Sequence, residues 1–357
     1  MVAKINADVT NGVVITSDTS GELELQANGV TKSKVTSSGL TDSSGNAYGL
    51  SKTNGMYRNL IINGDMRVNQ RGGTVNQTTS NPYSLDRWKG FGAVNDTFNM
   101  QQSSDAPADF SNSLLVTVLS TQASGWYSLE QVVEGYNIEH LNWGTSNAKT
   151  VTLSFWVKSS LTGTFSGAFR TPTAFYSYAF DYTISSANTW EKKTVTIAAP
   201  TVGAFGTGNS AGFNIFFALS TGSITAGSWQ SVNTNGSSSG NQFVNNAGAT
   251  FYITGVQLEV GEGASDFEFL PYDVQLQRCF RYFEKSDGVV NGSSGGTIIG
   301  RCNWVFKVKK RATPTITEGG GSAKSGVEVT STDLYGINRT DGNQPVIGSG
   351  STADSEL

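Results

Sequence analysis

Hydrolysis of a glycan needs two carboxylates held roughly 5–10 Å apart across a cleft, and acids are sparse in this chain. Asp65, Asp86, Asp181, Glu191 and Glu259 fall at strand ends or turns, and nothing in their spacing pairs them. His140, in GYNIEHLNWG, is the sole histidine, so a histidine-dependent nucleophile would rest on it alone. Its place between Ile138 and Leu141 suits a structural hydrogen-bonding residue instead. Cys279 and Cys302 are the only cysteines. Two thiols cannot close a four-ligand zinc site, and buried free thiols are expected. No phosphate-binding glycine loop, HExxH helix or paired CxxC is present. The run NRTDGNQ is half of a calcium loop in appearance, but Asp-Gly is equally an ordinary turn. We expect no enzyme and no cofactor.

Aromatic residues are the remaining candidates, and their chemistry is binding. In AFYSYAFDYT one strand face carries Tyr176, Tyr178, Phe180 and Tyr182. Sugars offer C–H patches to ring faces and hydroxyls to polar rims, so this face either lines a saccharide groove or forms a sandwich core. Trp156 is a sharper case. Its strand, TVTLSFWVK, already has an apolar face in Val151, Leu153, Phe155 and Val157, so Trp156 must project from the other side, toward a ligand or another subunit. Trp126 and Trp143 sit near glycine-bounded turns and complete the candidate glycan-binding set of Trp156, Tyr176, Tyr178, Trp143 and Trp126.

The elements that position these residues are strands. The chain has 357 residues with 42 Gly, 7 Pro, 19 Phe, 12 Tyr and 7 Trp, yet only 15% charged residues. Rich in aromatics and poor in charge, it is no disordered chain; it reads as all-β. A net charge of −4 gives no basic field for nucleic acid. No apolar run approaches the roughly 20 residues of a membrane-spanning helix, so membrane insertion is not expected. MVAKINADVTNG lacks an apolar signal core, and Sec-type export is not expected either.

Three regions follow. Residues 1–55 carry glycine-punctuated alternations such as ELELQANG, too lightly apolar to bury a core alone, and end in the linker-like Thr41–Asn54. Residues 56–272 hold several strand-length runs bounded by turn residues, which predicts a β-sandwich or jelly roll. Residues 273–357 open with a helix, predicted over Asp273–Glu284 with Asp273 as its cap, followed by a β region. Leu276, Cys279, Phe280 and Phe283 share one face of that helix, more apolar surface than a short helix needs. Leu276, Phe280 and Phe283 are therefore candidates for a subunit interface. The basic run Lys307–Arg311 reads as the solvated side of an edge strand.

NLIINGDMRVNQRGGT, YSLDRW, WYSLEQVVEGYNIEHLNW, VTLSFWVKSS, WEKKTVTI and FYITGVQLEVGEGASDFEFLPYDVQLQRCFRYFEKS together resemble a family of bacteriophage tail-fibre and virion fibre proteins, over residues 56–315. The central part also resembles jelly-roll carbohydrate-binding modules. The resemblance implies a homotrimeric virion appendage, assembled in the host cytoplasm. Residues 1–55 would contact other virion proteins, and the rest would grip a host cell-surface glycan. A head or neck decoration without glycan binding, a glycan-binding module and a depolymerising spike stay open beside it. Modules of this kind often hold a structural calcium near the first and last strands, where Asp65 and Glu259 have the comparable places. A turn hydrogen bond is the simpler use of Asp65.

Overall fold

The computed structural model describes residues 23–27, 30–36, 39–42, 57–286, 289–290, 301–317, 319, 327–337, 346–347 and 349–357. The chain divides into two compact units. The first takes in Met1–Asn54 with Gly263–Asp266, and the second Gly55–Glu262 with Phe267–Leu357.

In the first unit, Leu23–Ala27, Val30–Thr36 and Gly39–Asp42 form a three-stranded antiparallel meander. Leu25, Val30 and Val35 are exposed on it. Its order is local and polar: Thr31 Oγ1 donates to Glu24 at 2.8 Å, and Lys34 Nζ lies 3.1 Å from the same carboxylate.

The second unit is the expected all-β sandwich. Strands Glu191–Ile197, Val151–Ser159, Thr250–Val260, Ser113–Val118, Phe98–Ser103 and Val75–Asn76 lie side by side as a six-stranded sheet. Opposite it, Trp229–Gln230, Ser177–Ile184, Gly163–Arg170, Ala211–Ala218, Tyr127–Glu134, Trp88–Gly92 and Tyr83–Leu85 make a seven-stranded sheet. The chain crosses repeatedly between the sheets, as a jelly roll does, and every ladder within them is antiparallel. Val151, Leu153, Phe155 and Val157 point into the core as their alternation predicts, and the ring of Phe155 lies 5.0 Å from those of Tyr182 and Phe217.

One irregularity resets a strand's phase. Phe251 and Ile253 face the core, then Val256 and Leu258 do, because a bulge opposite Ser154–Trp156 adds a residue at Gly255. Gly255 has φ +60°, and a Cβ there would meet the rings of Phe110 at 2.7 Å and Trp156 at 3.0 Å. Only glycine satisfies both demands.

Apart from Gly263–Asp266, the segments expected as 56–272 and 273–357 fall in this one unit. The helix is shorter than its apolar spacing predicts, running Tyr272–Phe280, with Pro271 rather than Asp273 at its start. The chain leaves the helix at Arg281, and Phe283–Lys285 becomes a strand paired with Thr352–Asp354, beside Thr315–Thr317. Phe280 and Phe283 are buried and Leu276 half-buried within this chain. Leu276 and Leu357 pack against Ile62, Val68, Cys279 and Tyr282. The apolar surplus assigned to a subunit interface is thus absorbed inside the fold.

The basic run also departs from its reading as a solvated strand side. The strand is Arg301–Val305, and Lys310 beyond it is fully buried. Its ammonium reaches Glu284 at 2.8 Å and the carbonyl of Phe280 at 2.5 Å. Burial draws the Lys310 pKa down, with Glu284 opposing. Arg311 donates to the carbonyls of Ser355, Glu356 and Asn209. Cys279 is a buried free thiol, whose pKa burial pushes up. The NRTDGNQ loop and the side chain of Cys302 lie outside the described residues.

Candidate functional site

The outward face of the seven-stranded sheet follows from alternation. Phe213, Ile215 and Phe217 enter the core, so Asn214 and Phe216 point away; Phe165 and Phe169 enter, so Ala168 and Arg170 point away. Ladder registers then align two rows across the strands. One runs Ala179, Ala168, Phe216, Glu130, Lys89, and the next runs Ser177, Arg170, Asn214, Val132.

These rows make a polar strip over an aromatic floor. The guanidinium of Arg170 lies 4.5 Å above the Phe216 ring and 5.7 Å from that of Phe175, and its Nη1 donates to Asn233 at 2.7 Å. Asn214 Nδ2 donates to Glu130, whose other oxygen lies 3.7 Å from Lys89 Nζ. Burial lowers the Arg170 pKa, partly offset by Glu130. Two polar atoms here are buried without a hydrogen-bond partner, Arg170 Nε and Asn214 Oδ1. Unpaired buried polar groups are costly and uncommon, and here they share one face.

On the core-facing side of the same sheet an aromatic cluster is built around Trp229, in register with Tyr178 and the core residue Phe169. Tyr176 stacks on Trp229 at 5.4 Å and 16°, Tyr178 is 5.5 Å away and Trp143 5.8 Å. The structure therefore brings together three of the five residues singled out for glycan binding, but not as exposed platforms. Trp143 is 7% exposed and Tyr178 6%. Trp143 donates its indole N–H to Lys149 O and packs on Phe169, Phe205 and Phe213, as a core anchor does. Tyr178, Phe180 and Tyr182 line the core as well. Tyr176 stays half-exposed because it precedes the strand, on a hairpin closed by Thr171 N–H to Tyr176 O at 3.0 Å. At its tip Ala174 and Phe175 are left-handed, with φ +59° and +32°, and Phe175 is exposed beside Arg170.

Trp156 lies apart from this site. It is half-buried on the outward face of the six-stranded sheet, beside Gly255 and Phe110, and Phe110 packs at 5.1 Å on both Phe267 and Phe269. On the same strand Lys158 pairs with Asp105 and lies 4.4 Å over the Tyr252 ring. Trp126 is half-buried before the strand Tyr127–Glu134 and joins neither group. Arg170, Asn214, Glu130 and Trp229 escaped the sequence reading. The alternation in AGFNIFFA sets Asn214 apart from its apolar neighbours and was the available signal.

The acids considered for hydrolysis are each engaged locally. Asp65 pairs with Arg67, Asp86 accepts from Gln70, and Asp181 accepts from Ser237. Glu191 accepts from the amides of Ser185 and Ser186, and Glu259 from Gln257. Asp65 and Glu259 do not fit a shared calcium: a guanidinium sits against each, and among the described residues no group of three His, Cys, Asp or Glu comes together.

No family model and no curated protein matches the chain. Among solved structures it is similar to the enzymatically active domain of bacteriophage CBA120 tailspike protein 4, at 17% identity and TM-score 0.34, covering 57% of this chain and 22% of that one. It is similar to a CBM4 structure at 15% identity and TM-score 0.31, covering 56% of this chain and 99% of the other. For TmCBM61 in complex with β-1,4-galactotriose the figures are 13%, 0.30, 57% and 99%.

Proposed function

We propose that the protein is a non-enzymatic glycan-binding component of a bacteriophage virion, and that the sugar lies along the strip from Phe175 through Arg170 and Asn214 toward Lys89. The observation that carries the binding reading is the Arg170 guanidinium lying between the ring of Phe216 and the exposed Phe175, with Arg170 Nε and its neighbour Asn214 Oδ1 lacking partners. Hydroxyls and ring C–H faces are the chemistry that would use both. The virion, its host adsorption and the homotrimer rest on the resemblance of residues 56–315 to virion fibres. For the trimer, the exposed Leu25, Val30 and Val35 of the N-terminal meander add a physical motive that the helix no longer supplies.

A glycan array probed with the full chain, followed by titration of the best neutral oligosaccharide, tests the site. Arg170→Ala and Asn214→Ala should each weaken binding about tenfold or more, the cost of roughly one charged or well-buried hydrogen bond. Loss on Trp156→Ala with both of these silent would move the site to the other sheet. Light scattering behind a sizing column tests the trimer, and imaging of labelled particles tests the virion.

A further inference from the structure

A pocket of about 420 Å³ opens between the helix Tyr272–Phe280, the turn at His140 and the segment Val308–Lys309. Its lining combines apolar side chains with a cluster of cationic ones. Arg278, Arg281, Lys309 and His140 line it together with the amides of Asn59, Asn137 and Gln277, and no carboxylate is among its lining residues. The charges are not all internally balanced. Arg281 is used by Glu134, which accepts from both its Nε and Nη2. Arg278 has no such partner: Nη2 donates to the carbonyl of Asn59 at 3.3 Å, and Nη1 is buried with no hydrogen bond at all. Burial draws the Arg278 pKa down. The carboxylate of Glu268 acts on it electrostatically but is already bonded to the amides of Arg58 and Asn59. Tyr57, held left-handed at φ +71°, sets its ring 5.3 Å from the same guanidinium.

We propose that this pocket is a second binding site, separate from the aromatic strip, for an oxyanion carried on a small body with one apolar face. Arg278 Nη1 and the Lys309 ammonium meet the anion, and the side-chain amide of Gln277 takes a hydroxyl. Leu60, Val274 and Val308 supply the apolar wall. A guanidinium with an unspent donor suits either a carboxylate or a phosphate, and the volume lies in the range of small-molecule sites. Sugar acids and sugar phosphates share this chemistry.

The test titrates the full chain calorimetrically with glucuronate, glucose 6-phosphate, inorganic phosphate and glucose. Glucuronate or glucose 6-phosphate should bind with Kd of about 1 mM or tighter and displace inorganic phosphate, while glucose does not bind. A preference for one of the two identifies carboxylate or phosphoryl as the natural head group. Arg278→Gln should weaken binding about tenfold or more. Lys309 is exposed, so Lys309→Glu keeps the fold and should weaken binding several-fold even if Arg278→Gln disturbs folding. Tyr176→Ala and Arg170→Ala should leave this binding unchanged, which separates this site from the strip. Absence of anion binding, or equal binding by the wild type and Lys309→Glu, overturns the proposal.

Discussion

The N-terminal meander and the sandwich are both antiparallel β-structure, yet they are held by different forces. In the meander Leu25, Val30 and Val35 stay in water, and cohesion comes from backbone pairing and the Glu24–Thr31–Lys34 cluster. Those hydrogen bonds draw the Glu24 carboxyl down to about 2, Thr31 contributing most. In the sandwich two apolar faces close on each other around Phe155, Phe213 and Phe217. Alternation alone makes a strand; a second apolar layer makes a domain.

The contrast predicts a ladder of effects. Phe155→Ala should be the most damaging, about 3–5 kcal/mol, because it empties a site walled by Tyr182 and Phe217; chemical denaturation measures it. Lys310→Met should follow at about 3 kcal/mol, since it strands the buried Glu284 carboxylate, and adding Glu284→Leu should restore much of the loss. A third test uses pH. Burial raises the Glu134 pKa, but hydrogen bonds from Arg281 and Tyr282 outweigh it and hold the group below its ordinary 4.5. Its stabilisation is therefore fully present above that value and drains away as pH falls through the folded-state pKa. Glu134→Gln should flatten the acid limb of the stability profile relative to the wild type. Trp156→Ala, half-exposed one residue from Phe155, should cost clearly less than Phe155→Ala in the same denaturation experiment. Equal losses would break the division between inner and outer faces. Smallest of all, Leu25→Ser with Val30→Ser should move sandwich unfolding by no more than about 0.5 kcal/mol. If neighbouring chains cover these residues, the same double variant will lower the mass seen by light scattering.

Period-two patterns were legible wherever the strand itself runs without an inserted residue. TVTLSFWVK placed Phe155 inside and Trp156 outside correctly because no bulge interrupts its own strand. AFYSYAFDYT was ambiguous for a physical reason: alternation separates two faces without saying which one meets the core. The packing partners of Tyr178 and Tyr182 decide that, and Trp229 lies 51 positions beyond Tyr178. The helix end was misplaced because Phe280 and Phe283 keep helical spacing, while the strand that captures Phe283 lies at Thr352–Asp354. Lys310 looked solvated because nothing local announces Glu284. Site residues were harder still. Arg170 and Asn214 are brought together by pairing between separate strands, and that ladder is absent from any short window of sequence.

Arg87 carries an implication for how the chain comes together. Its fully buried guanidinium stacks 3.6 Å over the Tyr282 ring and pairs with Glu356, a partner 269 positions away, while Tyr83 and Lys89 reach the carbonyl of Leu357. On a ribosome, the turn bearing Arg87 emerges long before Glu356 exists. Until that segment arrives the cation lacks its ion-pair partner, and this edge of the sheet is incomplete. Contacts of such sequence separation form late and slowly. The segment Ser351–Leu357 is thus a clasp: maturation waits on it, and refolding that stalls should stall with this edge open.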